Sequence, residues 1–269
     1  MKHTPKWLST KLDVLRIHLA RPDALVQLTL LGLVSGLLAG SIITLFRVLV
    51  EGTQLGILPG GKEGNYEALD LWLRFLFPVL GGLLIGLIFK YYSKGLYVLG
   101  VARVMERMSY HQGYLTIRGF FLQFIGAAIA IISGHSVGRE GPHVYLGAAA
   151  SSLFGQFLKL PNNSIRIMVG CGTAAGIAAS FNTPLAGVIF ALEVVMMEYT
   201  IASFIPVIIA AFSATSISNL VLGNDPAFIV AEVHMGSLGE IFLVLLLGFI
   251  AGTVSAVFIH LMHRVAVSS

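Results

Sequence analysis

Charge is what this sequence has least of. Only 11% of its 269 residues are Asp, Glu, Lys or Arg, against roughly 25% in an ordinary soluble domain. With 56% of residues apolar, such a chain cannot cover a globular surface with solvated groups, and it reads as a multi-pass membrane protein. Cysteine is nearly missing. Cys171 stands alone between two glycines, which excludes a disulfide framework or a thiolate metal site within the chain and makes it a small packing residue. The net charge of +4 is modest, so nucleic-acid binding is not implied. Long apolar runs, by contrast, are plentiful: 24–50, 69–92, 119–133, 165–180, 184–197, 201–222 and 241–262. Several fall well short of the roughly 20 residues that a full span needs. Those should be half-helices buried against other protein, because exposed backbone cannot be satisfied in hydrocarbon.

Lys2, Lys6, Lys11, Arg16 and Arg21 precede the first apolar run, and the positive-inside tendency puts that end in the cytoplasm of a cell (inner) membrane protein. That run is too long for a signal-peptide core and lacks a small-residue cleavage site, so the first helix is expected to be retained. Leu31-Gly32-Leu33-Val34-Ser35-Gly36 is echoed by Leu247-Gly248-Phe249-Ile250-Ala251-Gly252. A lone G-x-x-x-G is weak, but these copies open the first span and the last, on either side of a loop with Asn224-Asp225-Pro226. Transporters are often built from two inverted repeats with the binding site between them. The expected organisation is a cytoplasmic segment 1–22, a first membrane repeat 23–222, a linker 223–236, and at 237–269 the opening helix of a second repeat that stops about one helix in.

Only two charges interrupt the stretch from Gly119 to Leu158, and they are neighbours: Arg139 and Glu140, within Gly138-Arg139-Glu140-Gly141-Pro142. Ionisable residues in so apolar a stretch are costly and mark a functional site by default. Gly138 and Gly141 allow close backbone approach to a ligand, and Pro142 suits a first helical turn, so a helix is expected to begin near Pro142. Its unpaired N–H groups and positive dipole end would make an anion site. Glu140 can occupy that site with its own carboxylate and leave on protonation or on displacement by an anion. Arg139 can neutralise Glu140, add field for an anion, or tether loop carbonyls.

A second broken-helix signal lies in Gly170-Cys171-Gly172-Thr173-Ala174-Ala175-Gly176 and Ser180-Phe181-Asn182-Thr183-Pro184-Leu185-Ala186-Gly187. Asn182 can cap and Pro184 can start a turn, so one helix is expected to end near Ser180 and another to begin near Pro184. Glu193 and Glu198 follow, as proton relays or interface acids. Glu140-Gly141-Pro142-His143 also has the Glu-x-x-His spacing of carboxylate metal sites, with His135 nearby, which raises a membrane-embedded metalloenzyme as a remote alternative. Such bundles need the motif twice with further glutamates, and one copy is present. His135 and His143 therefore read as helix-end or vestibule residues rather than ligands, with no enzyme activity, metal or cofactor expected.

The segment Gly138 to Pro142, and the run from Gly176 through Pro184 and Gly187 to Glu193, resemble the signature segments of the CLC family of voltage-gated chloride channels and proton-coupled chloride transporters, of bacterial type. The resemblance implies an all-α, multi-pass inverted-repeat fold with broken and tilted helices, here truncated after the first repeat. It also implies a homodimer in the lipid bilayer with one pore per subunit, and chloride as the transported ion, held by helix N-termini. Glu140 corresponds to the gating glutamate, with Gly138, Arg139, Glu140 and Gly141 around the external anion site.

Three departures qualify that implication. Where the family usually supplies a central anion-coordinating serine, this chain reads Val98-Leu99-Gly100-Val101-Ala102-Arg103, so Leu99 takes the serine's place and Arg103 that of a usual acid. The central site, if kept, would rest on Leu99, Gly100 and Val101 through backbone amides. Val194 stands where the exchangers often carry an internal proton-transfer glutamate, which favours passive conduction over antiport. The family's aromatic gate and pore tyrosine belong to a second repeat, so this length should not form a complete pore alone.

Overall fold

A computed structural model of the chain describes residues 25–61, 64–95, 99–223 and 239–268. The basic segment 1–22, most of the 223–236 linker and Val98 lie outside them. The regular elements among the described residues are all helical, with no strand. In chain order the helices are α1 (Leu25–Ile57), α2 (Leu71–Tyr92), α3 (Gly100–Tyr110), α4 (Ile117–Ile132), α5 (Glu140–Phe157), α6 (Asn162–Phe181), α7 (Pro184–Phe190), α8 (Ile201–Leu222) and α9 (Gly239–Ser268). Among them α1, α2, α6, α8 and α9 are long and apolar enough to cross a bilayer. Two compact units result: one holds every helix through α8, and the other holds α9.

The first unit is organised around α6, in which every residue from Ile167 to Ser180 is buried. A helix enclosed on all sides has to be built of small residues, and Gly170 to Gly176 supply them. α5 runs antiparallel to α6, with Gly147 against Gly172 and the His143 carbonyl against Gly176. α1 and α8 run parallel, Gly32, Gly36 and Gly40 seating Pro206, Ala210 and Ala214 in turn. The first copy of the G-x-x-x-G pair is thus a helix-packing seam. The spacing of four residues keeps those contacts on one face.

The breaks in the helices follow local chemistry. α6 ends where Asn182 takes a left-handed conformation, φ 55° and ψ 37°, which asparagine tolerates better than most side chains. Asn182 therefore closes one helix instead of opening the next, and Pro184 begins α7 at a position that needs no N–H. After seven residues α7 widens into a π-turn over Ala191–Met196 and stops at left-handed Met197. This short broken segment is packed against α6, as the limited length of the apolar run required. Thr116 caps α4 by accepting a bond from the Gly119 N–H, and Thr200 and Ser203 form a reciprocal cap at the start of α8.

Candidate functional site

Three helix ends converge around the Arg139–Glu140 dipeptide: the start of α5, the start of α3 and the end of α6. α5 begins at Glu140, two residues earlier than the proline suggested. Pro142 lies third in the helix, still within the turn whose amides have no intrahelical acceptor, so its ring costs no hydrogen bond. Glu140 is exposed, and its Oε2 folds back over Gly138, 2.3 Å from where a Cβ on that glycine would stand. Any side chain at 138 would displace the carboxylate. Gly141 faces Gly100, the first residue of α3, with a Cβ on Gly100 falling 3.8 Å from the Gly141 Cα. Two helix N-termini, both starting on glycine-flanked backbone, thus meet with no side chain between them.

Gly100 has φ +74°, which only glycine adopts without strain. Its N–H donates to the Gln123 Oε1 at 2.9 Å, so this amide is already satisfied by a side chain from α4. Leu99 precedes it as an extended residue with no side-chain cap, and Leu99 and Val101 both pack against the apolar core. The hydrophobic side chain in the serine's place is used for packing.

Arg139 does not pair with Glu140. Its Nη1 lies 3.3 Å from Oε1 of Glu51, a buried carboxylate in α1 that also receives Arg47 Nε at 3.1 Å. Arg47 in turn donates through Nη1 to the Ala179 carbonyl at 3.3 Å, and Ser218 Oγ donates to the same oxygen at 2.9 Å. A cation at the C-terminal end of α6 meets the negative end of its dipole and satisfies a carbonyl the helix leaves open. One turn along α1, Gln54 Nε2 donates to the Tyr66 hydroxyl at 2.8 Å, and that hydroxyl donates to the Ile131 and Ile132 carbonyls at 2.8 and 3.0 Å. Tyr66 lies in the connection between α1 and α2. Burial pushes its ionisation up, with the Gln54 hydrogen bond and the positive field of Arg139 acting the other way. The start of α5 is therefore tied by charge to α1, and α1 in turn to the end of α6 through Arg47 and to the α4 carbonyls through Gln54 and Tyr66.

The two histidines have different surroundings. His135 lies just past α4, bonded through Nδ1 to Ser133 Oγ at 2.9 Å and resting near Gly81 and Gly82 of α2. His143 is fully enclosed, with Nδ1 2.6 Å from Ser180 Oγ and its ring edge-on to Phe46 at 5.3 Å. It is a core residue joining α5 to α6 and not a vestibule group. Glu140 points outward while His143 points inward, so the Glu-x-x-His spacing does not converge. Among the described residues no cluster of three or more His, Cys, Asp or Glu is placed to hold a metal.

Glu193 is exposed on the π-turn, and half-buried Val194 follows it. Glu198 pairs with Arg166 Nη2 at 3.1 Å, and Arg166 Nη1 donates to the Met108 carbonyl near the end of α3. At 1.5 Å per residue the eight steps from Gly100 to Met108 span about 12 Å. Glu198 is thus held near the far end of α3 from the Gly100–Gly141 junction. Arg103 pairs with Glu106 at 2.6 Å on α3's own surface.

The family model described as "Voltage gated chloride channel" matches residues 81–268. This chain belongs to that family. It is 32% identical over 245 residues to a voltage-gated ClC-type chloride channel ClcB of Yersinia pseudotuberculosis, covering 88% of this chain and 58% of the relative. With the ClcB of an Escherichia coli O139:H28 strain the identity is 33% over 201 residues, 73% of this chain and 48% of the other. Among solved structures, a CLC-type fluoride/proton antiporter superposes with a TM-score of 0.69 at 26% identity, over 87% of this chain and 57% of that one. A slow cyanobacterial Cl−/H+ antiporter at 21% identity shares the fold, with a TM-score of 0.60. The chain spans about half the length of the relatives it matches.

Membership accounts for the Gly138–Pro142 and Gly176–Glu193 segments but not for their partners. Sequence reasoning missed Glu51, Arg47 and Gln123. The first two stand four apart in α1, Arg47 directly after Phe46, and charged residues so deep in a 33-residue apolar helix were a visible signal of the same kind that singled out Glu140.

Proposed function

We propose that this chain supplies one half of a transmembrane chloride pathway in which the Glu140 carboxylate acts as the gate at the N-terminus of α5. The observation that carries this reading is the pairing of Arg139 with Glu51. Among the described residues no cation lies within ion-pair distance of Glu140, so its exposed carboxylate depends on backbone and field alone and can leave. Arg47, Arg139, Glu51 and Glu140 together sum to zero charge. With Glu140 protonated or swung away the remainder is +1, beside the N-terminal amides of α5, and an anion restores neutrality. Gly138 and Gly141 give backbone access to that anion, and the Gly100–Gly141 junction offers a route inward in which Val101 rather than Gly100 has the amide to spare.

Within this reading, residues 23–222 form a first repeat and 237–269 open a second. The complete protein is a homodimer in the cell membrane with its N-terminus in the cytoplasm. Val194 at the usual relay position supports passive conduction. Proton-coupled antiport is the second reading, favoured by the likeness to a fluoride/proton antiporter, with Glu193 and Glu198 as its relay groups.

The test is chloride efflux with simultaneous proton uptake in liposomes, on this chain and on a form extended through a second repeat. In the extended form Glu140→Gln should keep anion flux and lose its pH dependence. A pH dependence that survives the substitution refutes the gate. Proton movement against its gradient selects antiport.

A further inference from the structure

We propose that Gln123 of α4 supplies an anion-coordinating donor at the junction of α3 and α5, and so makes from a neighbouring helix the contact that Leu99 cannot make. Gln123 is the one polar side chain between Gly119 and Ile132, and it is 9% exposed. A side-chain amide buried in so apolar a helix is costly unless both of its ends are used. One end is used. Oε1 accepts the Gly100 N–H at 2.9 Å, which aims the side chain at the start of α3. Among the described residues no acceptor meets Nε2, the other end. Nε2 shares a carbon with that oxygen and therefore lies at the same junction.

The backbone that opens there offers donors as well. The Val101 and Ala102 N–H groups belong to the first turn of α3 and have no intrahelical acceptor. Gly141, in the first turn of α5, stands across from Gly100. Leu99 adds no side-chain cap, and Arg103 is engaged with Glu106. A water among these groups could accept, but it would also have to place its own protons where acceptors are lacking. A monovalent anion accepts from all of them and has no proton to place. Neutral donors, in place of a cation, suit an ion that has to leave again. This role rests on the chloride pathway proposed above, in which Glu140 fills the α5 amides of the wild type, so that added chloride reports on the inner junction. The competing role is a buried amide that does no more than cap α3.

Thermal unfolding of the detergent-purified chain in sodium chloride against sodium gluconate at equal ionic strength separates the two, because a ligand that binds the folded state raises the melting temperature. The wild type should show a saturable rise with chloride. Gln123→Met loses cap and donor together. Its melting temperature in gluconate should fall, and the chloride needed for half of the rise should increase at least about ten-fold. Gln123→Glu keeps an oxygen for the Gly100 N–H and puts a carboxylate oxygen in the donor's place, so its stability in gluconate should match the wild type while the rise at neutral pH is lost. A wild type with no chloride-specific rise overturns the proposal. So does a wild-type response in Gln123→Met, which would leave Gln123 a cap and assign any loss in Gln123→Glu to charge repulsion alone. A wild-type response in Gln123→Glu overturns it too, and this variant keeps the test available if Gln123→Met does not fold, as judged by circular dichroism at 222 nm. The gate fails separately: a pH-dependent flux that survives Glu140→Gln refutes the gate whatever the Gln123 variants do, and a chloride rise indifferent to Gln123 refutes the donor while leaving that flux result as it stands.

Discussion

Replacing Gly172 by alanine tests the contact that fixes α5 against α6. An ideal Cβ at 172 would stand 2.2 Å from the Gly147 carbonyl oxygen and 2.5 Å from Ser151 Oγ. Ordinary contact begins near 3.4 Å, so α5 and α6 must part by about 1 Å, and the nearest clashing atom is backbone that cannot rotate aside. Overpacking of this kind costs about 1–3 kcal/mol, and a backbone clash belongs at the upper end. Alanine recovers roughly 1 kcal/mol of helix propensity, which leaves a net loss of about 2 kcal/mol. Gly147 lies two turns beyond Glu140 in the same helix, so the shift also moves the proposed gate. Denaturant unfolding in micelles should show the loss for Gly172→Ala. Gly52→Ala and Gly56→Ala, with nothing within 4 Å of either Cβ position, should instead gain up to about 1 kcal/mol each. A Gly172→Ala protein as stable as the wild type, or a loss of equal size at Gly52, would refute the packing argument.

Glu51→Gln should destabilise by about 2 kcal/mol, below the 3–5 kcal/mol of a fully buried broken pair, because the Arg47 and Arg139 side chains are 22% and 38% exposed and can reach water. In a double-mutant cycle by thermal unfolding, Arg139→Gln should cost less in the Glu51→Gln background than alone, and strict additivity would count against the pair. In the form extended through a second repeat, the same Glu51→Gln change would free Arg139 to turn toward the proposed gate Glu140, so liposome chloride flux at neutral pH should fall, and Arg139→Gln should restore it. Met197→Gly should stabilise by about 1 kcal/mol, since Met197 is exposed and left-handed at φ 54°, a conformation that costs an ordinary side chain roughly 1–2 kcal/mol. A decrease in melting temperature would show that its side chain matters more than its backbone.

Much of the fold was legible because bilayer-scale apolar runs convert directly into helices. The runs at 69–92, 119–133 and 201–222 reappear within a few residues as α2, α4 and α8. The start of α5 was placed at the proline because proline marks a first turn, but a first turn has several positions, and Pro142 occupies the third. Asn182 is an αL cap and not an N-cap because the same side chain suits both roles and only the backbone angle distinguishes them. The π-turn at Ala191–Met196 had no legible signal in a run that reads as continuous helix. Arg139 was least legible of all. Its adjacency to Glu140 left a pair, a field for an anion and a tether to loop carbonyls all open, yet neighbours at a helix start point in different directions, and its partner stands 88 residues earlier.

That long-range pairing changes what the two neighbouring charges accomplish. At 3.3 Å and an effective dielectric near 20, Arg139 and Glu51 attract by about 5 kcal/mol before desolvation. On the proposed gating role, a Glu140 that took that partner instead would have to be displaced by an incoming chloride against a comparable attraction, and the gate would stay shut. With Arg139 committed to Glu51, the proposed gate carboxylate would compete for the α5 amides on terms a chloride can match, and the arginine would still contribute its positive field. Arg47 allows this arrangement by sharing Glu51 and anchoring to the α6 carbonyl, which fixes the carboxylate from a second side. On that proposal the Arg139–Glu51 pair acts less as a source of stability than as the element that leaves the neighbouring carboxylate free to move.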